Sequence, residues 1–243
     1  MRAVIISAMH SNSRPISSSQ TGMHQQLALR VARHASCTFQ KPITDYNRRA
    51  FDSSMTIWQR MPVTPLILDA GCGVGLSSHH LAAQFPAHFV IGVDQSADRL
   101  ARGVDWPHPA PHNLLLVRAD LVDYWRLLLD AGVRLARHYV LYPNPWPKIG
   151  QLARRWHGHP VMPTIVALGG QFECRSNWPV YVDECAAALT QLTANNVCSE
   201  QYEPVSPITP FEKKYLASGH LLWRCRTMLT PAPVLCQSTL GLP

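Results

Sequence analysis

A glycine-rich turn directly after an apolar run is the segment of this sequence best suited to hold a ligand. Leu66–Leu68 leads through Asp69 into Gly71, Gly73 and Gly75. Glycine tolerates positive φ and lets a ligand approach bare backbone, and a helix that begins after the turn would add free N–H groups. The dinucleotide pattern G-x-G-x-x-G is not met, because position 76 is leucine. The spacing therefore does not predict a dinucleotide site, and the alternatives are another ligand on the bare backbone or a tight strand–helix turn without a ligand.

Three acidic residues stand where three successive predicted strands end. Asp69 precedes the glycines, Asp94 ends the next apolar run, and Asp120 follows a third. The carboxyl ends of parallel strands meet at one edge of a sheet, where open α/β sheets bind ligands. A carboxylate there can pair with a cationic amino group or accept from ribose hydroxyls. Each acid alone is more often a helix cap, but three in succession favour a ligand site.

A proline-rich loop follows the fourth predicted strand and is the second candidate for chemistry. Its sequence from Pro143 to Lys148 is Pro-Asn-Pro-Trp-Pro-Lys. Three prolines in five residues restrict the backbone, so Asn144 and Trp146 are expected at set positions, with the indole available to stack on a base. A structural proline turn around a buried tryptophan is the alternative interpretation.

The alternation of apolar and amphipathic stretches predicts the elements that position these residues. Strands are predicted near residues 66–70, 89–93, 114–118, 138–142, 171–175, 197–202 and 221–228. Helices are predicted near residues 24–34, 44–58, 76–84, 96–103, 121–130, 151–167 and 179–193. Strands that alternate with helices predict an α/β fold, with a mostly parallel sheet and helices on both faces.

Composition narrows the class of protein. The 243 residues carry 22 Lys+Arg and 15 Asp+Glu, a net charge of +7, and residues 1–60 hold eight basic and two acidic residues. Localised positive charge suits a polyanion such as nucleic acid, although a solvated surface is the common alternative. No apolar run is long enough for a membrane span and no signal peptide is evident, so a cytoplasmic protein is expected. Seven cysteines without a C-x-x-C pair predict no metal site.

From about Trp58 to Arg226 the chain resembles the bacterial tRNA (guanine-N7)-methyltransferases. The ordered matches are Asp69–Gly75, Gly92–Asp94, Pro143–Lys148 with Arg154-Arg155, Gly169-Gly170 with Ser176–Trp178 and Tyr181, and Thr209–Glu212 with Gly219 and Trp223. The glycine motif is common to many methyltransferases. The segment P-x-P-W-x-K with the arginine pair, followed by T-x-F-E, is far more specific.

The resemblance implies a class I methyltransferase with a seven-stranded Rossmann-like sheet, S-adenosylmethionine (AdoMet) as methyl donor, and guanine N7 in tRNA as acceptor. It implies a cofactor site made of Asp69, Gly71, Cys72, Gly73, Asp94, Gln95, Asp120 and Asn144. It implies a tRNA site made of Trp146, Lys148, Arg154, Arg155, Asn177, Thr209, Phe211 and Glu212. Asn144 takes the catalytic position, the arginine pair suits phosphates, and Glu212 is expected to read the guanine edge.

Two departures from the family pattern leave other functions open. Asn144 and Asn177 are amides where the family has acids. Asn144-Pro145-Trp146 is similar to the (Asp/Asn)-Pro-Pro-aromatic motif of amino-group methyltransferases, which favours a changed acceptor such as an exocyclic amine or a small molecule. A protein that binds AdoMet or RNA without turnover is the third alternative.

Three regions are expected along the chain. Residues 1–59 form a basic arm with a helical extension, in which residues 1–22 are expected to be mobile. Residues 60–229 form the methyltransferase domain, and residues 230–243 form a flexible tail. We expect a monomer or homodimer that needs no other protein partner.

Overall fold

A computed structural model describes residues 13–103, 111–193 and 195–230. The strands within these ranges are β1 (Leu66–Ala70), β2 (Phe89–Asp94), β3 (Leu114–Arg118), β4 (Leu135–Leu141), β5 (Gly170–Ser176), β6 (Ser199–Tyr202) and β7 (Leu222–Leu229). The helices are α1 (Leu27–Ala35), α2 (Asp45–Gln59), α3 (Leu76–Gln84), α4 (Ala97–Arg102), α5 (Leu121–Asp130), α6 (Met162–Ala167), α7 (Pro179–Thr193) and α8 (Pro210–Ala217). Two 3-10 segments, Ile149–Arg154 and Trp156–Gly158, lie between β4 and α6.

The strands form one sheet in the order β3-β2-β1-β4-β5-β7-β6. The first five strands pair in parallel, β7 is antiparallel to β5, and β6 is antiparallel to β7. The strand order reverses between β1 and β4, and ligands of open α/β sheets bind outside the carboxyl ends of the strands at this point. The glycine turn after β1 and the proline-rich loop after β4 therefore face the same crevice.

Apolar side chains on the two faces of the sheet form two cores. In β1, Leu66 and Leu68 join a core that includes residues of α1, α2, α5, α6 and α7. Ile67 points to the other face and joins a core that includes residues of α3 and α8. The alternation follows from the period of two along a strand. It confirms the predicted α/β fold with helices on both faces.

Most of the predicted elements are confirmed, but the helix predicted over residues 151–167 is wrong. The chain forms the two 3-10 segments there before the short helix α6 begins at Met162. Pro160 lacks the N–H that a continuous helix needs. A Cβ on Gly158 would lie 2.2 Å from the Leu152 carbonyl oxygen. Because the backbone at Gly158 packs directly on the backbone at Leu152, a larger residue does not fit at position 158. The chain makes a tight turn there.

Helix α8 was not predicted, although its start signal is present in the sequence. Thr209 is its N-cap, with Pro210 in the first turn and a hydrogen bond of 2.9 Å from the Glu212 N–H to the threonine hydroxyl. A threonine cap followed by proline and, three residues on, glutamate is typical of a helix start. The apolar pattern of α8 is short, so periodicity alone did not predict this helix.

The N-terminal extension packs on the rest of the domain. Leu27 and Val31 of α1 and Phe51 and Met55 of α2 belong to the same apolar core as β1. The expected mobility of residues 13–22 is corrected, because hydrogen bonds from this segment reach residues more than 100 positions away. Residues 1–12 and the predicted tail from 231 onward lie outside the described residues. The boundary at residue 60 stays a prediction.

In the described ranges, none of the helices combines the length and apolar character that crossing a bilayer requires. The same part of the chain holds no cluster of three or more His, Cys, Asp or Glu side chains that could bind a metal ion. Among the cysteines it contains, Cys37 and Cys198 are exposed. The buried ones are Cys72, Cys174, Cys185 and Cys225.

Candidate functional site

The glycine turn after β1 is held against the end of β2. Gly71, Gly73 and Gly75 have positive φ values of 82°, 61° and 81°. The Gly71 N–H donates to the Val93 carbonyl at 2.8 Å. Among the described atoms, a Cβ on Gly73 would meet nothing within 4 Å, whereas one on Gly75 would lie 2.7 Å from Leu116 Cδ1. Gly75 therefore permits close packing, while the surface above Gly73 is open to a ligand.

Asp69 is the most enclosed of the three predicted cofactor acids, with 1% of its surface exposed. Its Oδ2 accepts from the hydroxyls of Ser77 and Ser78 at 2.6 and 2.7 Å. Its Oδ1 is also buried, and the described residues supply no donor to it. Burial raises the pKa of Asp69, and the two serine hydrogen bonds oppose that rise. A buried polar atom without a partner costs about 1–3 kcal/mol, so a cationic ligand group would stabilise this carboxylate.

Cys72 lies in the same turn and is buried. Burial and the nearby carboxylates of Asp69 and Asp94 raise the pKa of its thiol. The neutral thiol is therefore the form present near neutral pH, and it adds no charge beside Asp69. Its predicted role is limited to lining the cofactor site.

Asp94 is engaged at the tip of β2. Its Oδ2 accepts from the Gly73 N–H at 3.0 Å, and its Oδ1 accepts from the Ser96 N–H at 2.8 Å. Arg99 lies 3.5 Å from Oδ2. Each carboxylate oxygen can accept a second hydrogen bond, so the predicted ribose contact is compatible with this geometry. Gln95, the next predicted cofactor residue, is exposed beside it.

Asp120 caps helix α5, which is the common role of a strand-end acid. Its Oδ1 accepts from the Val122 N–H at 2.8 Å and from the Asp123 N–H at 3.3 Å. Its own backbone N–H donates to Asn47 Oδ1 at 3.0 Å, and Asn47 Nδ2 donates to Asp123 at 2.7 Å. Asn47 of α2 was missed from the sequence. The signal was a polar residue on the apolar face of a helix.

The loop Pro143–Lys148 has a strained backbone at the residue before it and at one residue within it. Tyr142 and Trp146 are the described non-glycine residues with positive φ, at 52° and 45°. Such conformations cost about 1–3 kcal/mol and cluster at functional sites. Asn144 is exposed, and its Oδ1 accepts from the Trp146 N–H at 3.4 Å. Asn144 thus lies in the loop after β4, the strand next to β1 in the sheet, and Lys148 is exposed at the end of the same loop.

The two members of the arginine pair have different surroundings. Arg154 is exposed and stacks on the Trp146 ring at 4.7 Å. Arg155 is fully buried and donates to the carbonyl oxygens of Trp146 at 3.1 Å and Lys148 at 3.4 Å. The expected phosphate contact of Arg155 is therefore corrected, because this guanidinium is enclosed and holds the loop from below. Arg154 remains a candidate for phosphate binding.

The partner of Arg155 is Glu184 of α7, which is also fully buried. Arg155 Nη1 lies 2.6 Å from Glu184 Oε2, and His157 Nε2 lies 2.8 Å from the same oxygen. Burial alone would raise the pKa of Glu184, but the hydrogen bonds and charges of His157 and Arg155 outweigh it and lower the pKa to about 2. Burial lowers the pKa of His157 more than Glu184 raises it. His157 is therefore neutral and donates to the Glu184 carboxylate, which Arg155 also contacts.

Glu212 is buried, and both of its carboxylate oxygens accept hydrogen bonds from the protein. The hydroxyl of Tyr142 donates to its Oε1 at 2.8 Å, Arg175 Nη1 donates at 3.0 Å, and the Ile208 N–H donates to Oε2 at 2.7 Å. The Tyr202 hydroxyl also donates to Oε1. The side chain has no exposed surface, so the expected direct contact with guanine is corrected. Glu212 instead joins the end of β4 to α8.

The remaining predicted substrate residues lie around α8 and the end of β5. Thr209 is buried as the helix cap, which corrects its expected contact with tRNA. Phe211 is 48% exposed and stacks on Tyr215. Asn177 directly follows β5, and its Nδ2 lies 3.1 Å from Nδ1 of His220. Asn177 and Phe211 therefore remain accessible to an acceptor.

The predicted cofactor and acceptor residues meet at one edge of the sheet. Asp69, Asp94 and Asp120 follow the carboxyl ends of β1, β2 and β3, and Asn144 and Asn177 follow those of β4 and β5. These five strands are parallel, so their ends share a side. AdoMet fits this half of the site on two observations, both made on residues 13–103, 111–193 and 195–230. The space above Gly73 is open, and the buried Oδ1 of Asp69 has no hydrogen-bond partner.

The sheet order and the glycine turn define a class I methyltransferase fold. The family model Methyltransf_4, described as "Putative methyltransferase", matches residues 63–225. The chain belongs to this family, which agrees with the predicted methyltransferase fold and with AdoMet as methyl donor.

Individual relatives are named tRNA (guanine-N(7)-)-methyltransferase. The one from Treponema pallidum (strain Nichols) is 26% identical over 164 residues, covering 65% of this chain and 64% of that protein. The one from Bordetella pertussis is 28% identical over 168 residues, covering 65% of each. The one from Sphingopyxis alaskensis is 28% identical over 181 residues, covering 67% of this chain and 74% of that protein. The match thus spans less than two thirds of the length of the Treponema relative.

Solved structures support the fold. An antibiotic-related methyltransferase superposes with a TM-score of 0.53 at 15% identity, over 80% of this chain and 98% of that one. The 16S rRNA methyltransferase KamB superposes with a TM-score of 0.51 at 17% identity, over 79% of this chain and 96% of that one. At these identities the likeness concerns the fold alone.

Proposed function

We propose that this chain transfers a methyl group from AdoMet to N7 of a guanine in tRNA. The observation that carries the proposal is the buried Oδ1 of Asp69, which has no partner among the described residues, beside the open Gly73 backbone. Both lie at the edge of the sheet where Asn144 follows β4. The names of the relatives supply the acceptor. AdoMet, when bound, supplies a methyl group on a positively charged sulfur.

The residues of the cofactor half bind and orient the donor. Asp69 accepts hydrogen bonds from the cationic amino group, because its free oxygen and negative charge complement an ammonium. Asp94, with Gln95 beside it, is assigned to the ribose hydroxyls and Asp120 to the adenine amino group. Gly71, Cys72 and Gly73 present the backbone over which the donor lies.

The residues of the acceptor half align the base. Guanine N7 has an in-plane lone pair, so no proton has to leave before it is methylated, and alignment supplies most of the acceleration. Asn144 orients the base through its amide. Asn177 and Phe211 line the space for the acceptor base. Lys148 and Arg154 are exposed cations for the tRNA backbone.

The ring gains positive charge as the methyl group arrives, and a carboxylate near it would stabilise that charge. Asn144 and Asn177 are neutral, and Glu212 is saturated inside the protein. We therefore expect a slow enzyme. A changed acceptor is the second candidate, because two amides at the acceptor edge can hold an exocyclic amino group through their carbonyl oxygens.

Nucleoside mass spectrometry on unmodified tRNA, incubated with the native chain and AdoMet, tests the proposal. The expected product is 7-methylguanosine, and at limiting AdoMet its yield should fall in an Asp69→Asn variant, which weakens the donor site. Another methylated nucleoside would replace the proposal by the second candidate. Binding of tRNA without any product from the native chain would favour a binding protein. The cytoplasmic location and the monomeric or dimeric state stay predictions.

A further inference from the structure

A segment before α1 connects three parts of the acceptor half. Residues 13–24, here named the N-terminal strap, begin at Ser13, whose N–H donates to the Ser218 hydroxyl at 3.2 Å. The Ser18 hydroxyl donates to the Pro147 carbonyl at 2.5 Å. Gln20 donates to Glu184 and accepts from Arg155, at 2.6 and 2.9 Å. The strap therefore runs from the end of α8, past the proline-rich loop, to the buried ion pair.

The strap determines which nitrogen of His220 carries the proton. His220 Nε2 lies 2.9 Å from the carbonyl oxygen of Ser13. A carbonyl oxygen only accepts, so Nε2 must donate and is protonated. In the neutral ring Nδ1 is then an acceptor. The ring is held in plane by stacking on Tyr215, with centroids 5.3 Å apart and planes 10° apart.

The protonation of His220 in turn sets the orientation of the Asn177 amide. Asn177 Nδ2 lies 3.1 Å from His220 Nδ1 and donates to it. The Asn177 carbonyl oxygen is directed away from the ring, and the described part of the chain supplies no hydrogen bond to it. An amide alone has two equivalent orientations, but the acceptor nitrogen of His220 selects one of them.

We propose that His220, held by the Ser13 carbonyl, is a positioning residue that keeps the oxygen of Asn177 available to an N–H group of the acceptor base. This inference rests on the proposed function. Asn177 lies at the end of β5, next to β4 and its loop with Asn144. An oriented amide oxygen accepts as a carboxylate oxygen would, so it preserves base recognition without the negative charge. Base N–H groups such as guanine N1–H and N2–H₂ are its partners.

The geometry is tested by ¹⁵N NMR of the histidine ring nitrogens in the full-length chain. The His220 signals are assigned by their loss in His220→Gln, with the exposed His80→Gln as control for overall changes. We expect a protonated Nε2 and an unprotonated Nδ1 in the neutral ring of His220. A protonated Nδ1, or rapid exchange between the two forms, would overturn the inference.

The role is tested by kinetics with tRNA. His220→Ala should raise KM for tRNA about 10-fold, the value of one hydrogen bond of about 1.4 kcal/mol, with a smaller change in kcat. S-adenosylhomocysteine affinity should not change. His220→Asn should restore most of KM, because its amide oxygen can replace Nδ1 as acceptor. Ser218→Ala removes the hydroxyl that accepts from the Ser13 N–H of the strap and donates to the Lys214 carbonyl of α8, and it should raise KM by a factor of about 2–3.

The outcomes separate the two proposals. Equal KM values for His220→Ala, His80→Gln and the native chain would overturn the inference and leave the proposed function intact. Failure of the native chain to methylate tRNA would overturn the proposed function, and the NMR result would still decide whether His220 orients Asn177.

Discussion

The cofactor half and the acceptor half of this site are built in different ways. In the cofactor half, Asp69 contacts Ser77 and Asp94 contacts Ser96, which are 8 and 2 positions apart, and the Asp120 turn is the exception because it is joined to Asn47, 73 positions away. In the acceptor half they join distant segments, as between Gln20 and Arg155, which are 135 positions apart. Local motifs therefore reveal the first half, while the second half depends on the packing of the whole chain.

The two halves also use their charges differently. Within the described part of the chain, one carboxylate oxygen of Asp69 has no donor, whereas the carboxylates of Glu184 and Glu212 accept from the protein. A buried carboxylate oxygen without a protein donor can accept a hydrogen bond from a ligand. A buried carboxylate that accepts from several protein groups holds those groups together. The motif residues of the acceptor half thus act mainly through the loop and strands they hold together.

The largest effect is expected from breaking the buried ion pair of the acceptor half. Arg155→Met should lower the free energy of unfolding by about 3–5 kcal/mol, because Glu184 would be left buried without its main partner. The matched control Arg154→Met, one residue away and exposed, should stay within about 0.5 kcal/mol. Urea denaturation measures both, and equal losses would show that Arg155 does not hold the loop.

The same ion pair should make stability depend on acid pH. The pKa of Glu184 is lowered from 4.5 to about 2 in the folded chain. The folded carboxylate is favoured, so its contribution is complete above pH 4.5 and is lost as pH falls towards 2. Between pH 4.5 and 2, the melting temperature should fall more steeply with decreasing pH in the native chain than in Glu184→Gln. The exposed Glu203→Gln serves as control, and an identical slope in all three would contradict the prediction.

In the cofactor half, Asp69→Asn should weaken S-adenosylhomocysteine binding by about 10–100-fold, because a hydrogen bond to a charged group contributes about 1.5–3 kcal/mol. The serine hydroxyls can still donate to the amide oxygen, so folding should be preserved. Calorimetric titration compares it with Asp98→Asn, an exposed acid on α4. Unchanged affinity would remove Asp69 from the donor site.

Restoring a carboxylate in the acceptor half should raise the rate of methylation without changing the cofactor half. Asn144→Asp should raise the single-turnover rate of 7-methylguanosine formation by about 10-fold or more, since a preorganised charge stabilises the cationic base. Affinity for S-adenosylhomocysteine should change little. The exposed Asn196→Asp controls for net charge, and a rate gain of the same size there would show that Asn144 has no specific place beside the base.

The smallest effect is expected outside both halves, on the basic surface of the N-terminal extension. Arg48→Gln with Arg49→Gln, both exposed on α2, should reduce the slope of log affinity for tRNA against log salt by about 1–2. Deleting residues 1–40 would be less informative, because it also removes α1 and the strap. Filter binding across salt concentrations measures the slope, with Arg226→Gln on β7 as control. An unchanged slope would leave the positive charge of the extension without a role in tRNA binding.

Particular residues show where sequence reasoning succeeded and where it did not. The place of Asp69 and the glycine turn between β1 and α3 was predicted correctly, because a buried strand followed by a tight turn leaves its pattern within ten residues. Arg155 and Glu212 were placed in the substrate site by their motifs, yet both are buried. A motif identifies a position in the chain, but the direction of its side chain depends on which distant segment packs beside it.

By itself, the sequence determined the strands, the two faces of the sheet and the turn that leaves Asp69 at the crevice, because apolar periodicity and glycine backbone freedom act over a few residues. Only the tertiary structure decided that Asn47 supports the Asp120 turn, that Arg155 supports the loop, and that the strap reaches His220. These contacts form only when the sheet has brought remote segments together, and hydrogen bonding of polar groups buried in that process selects their partners.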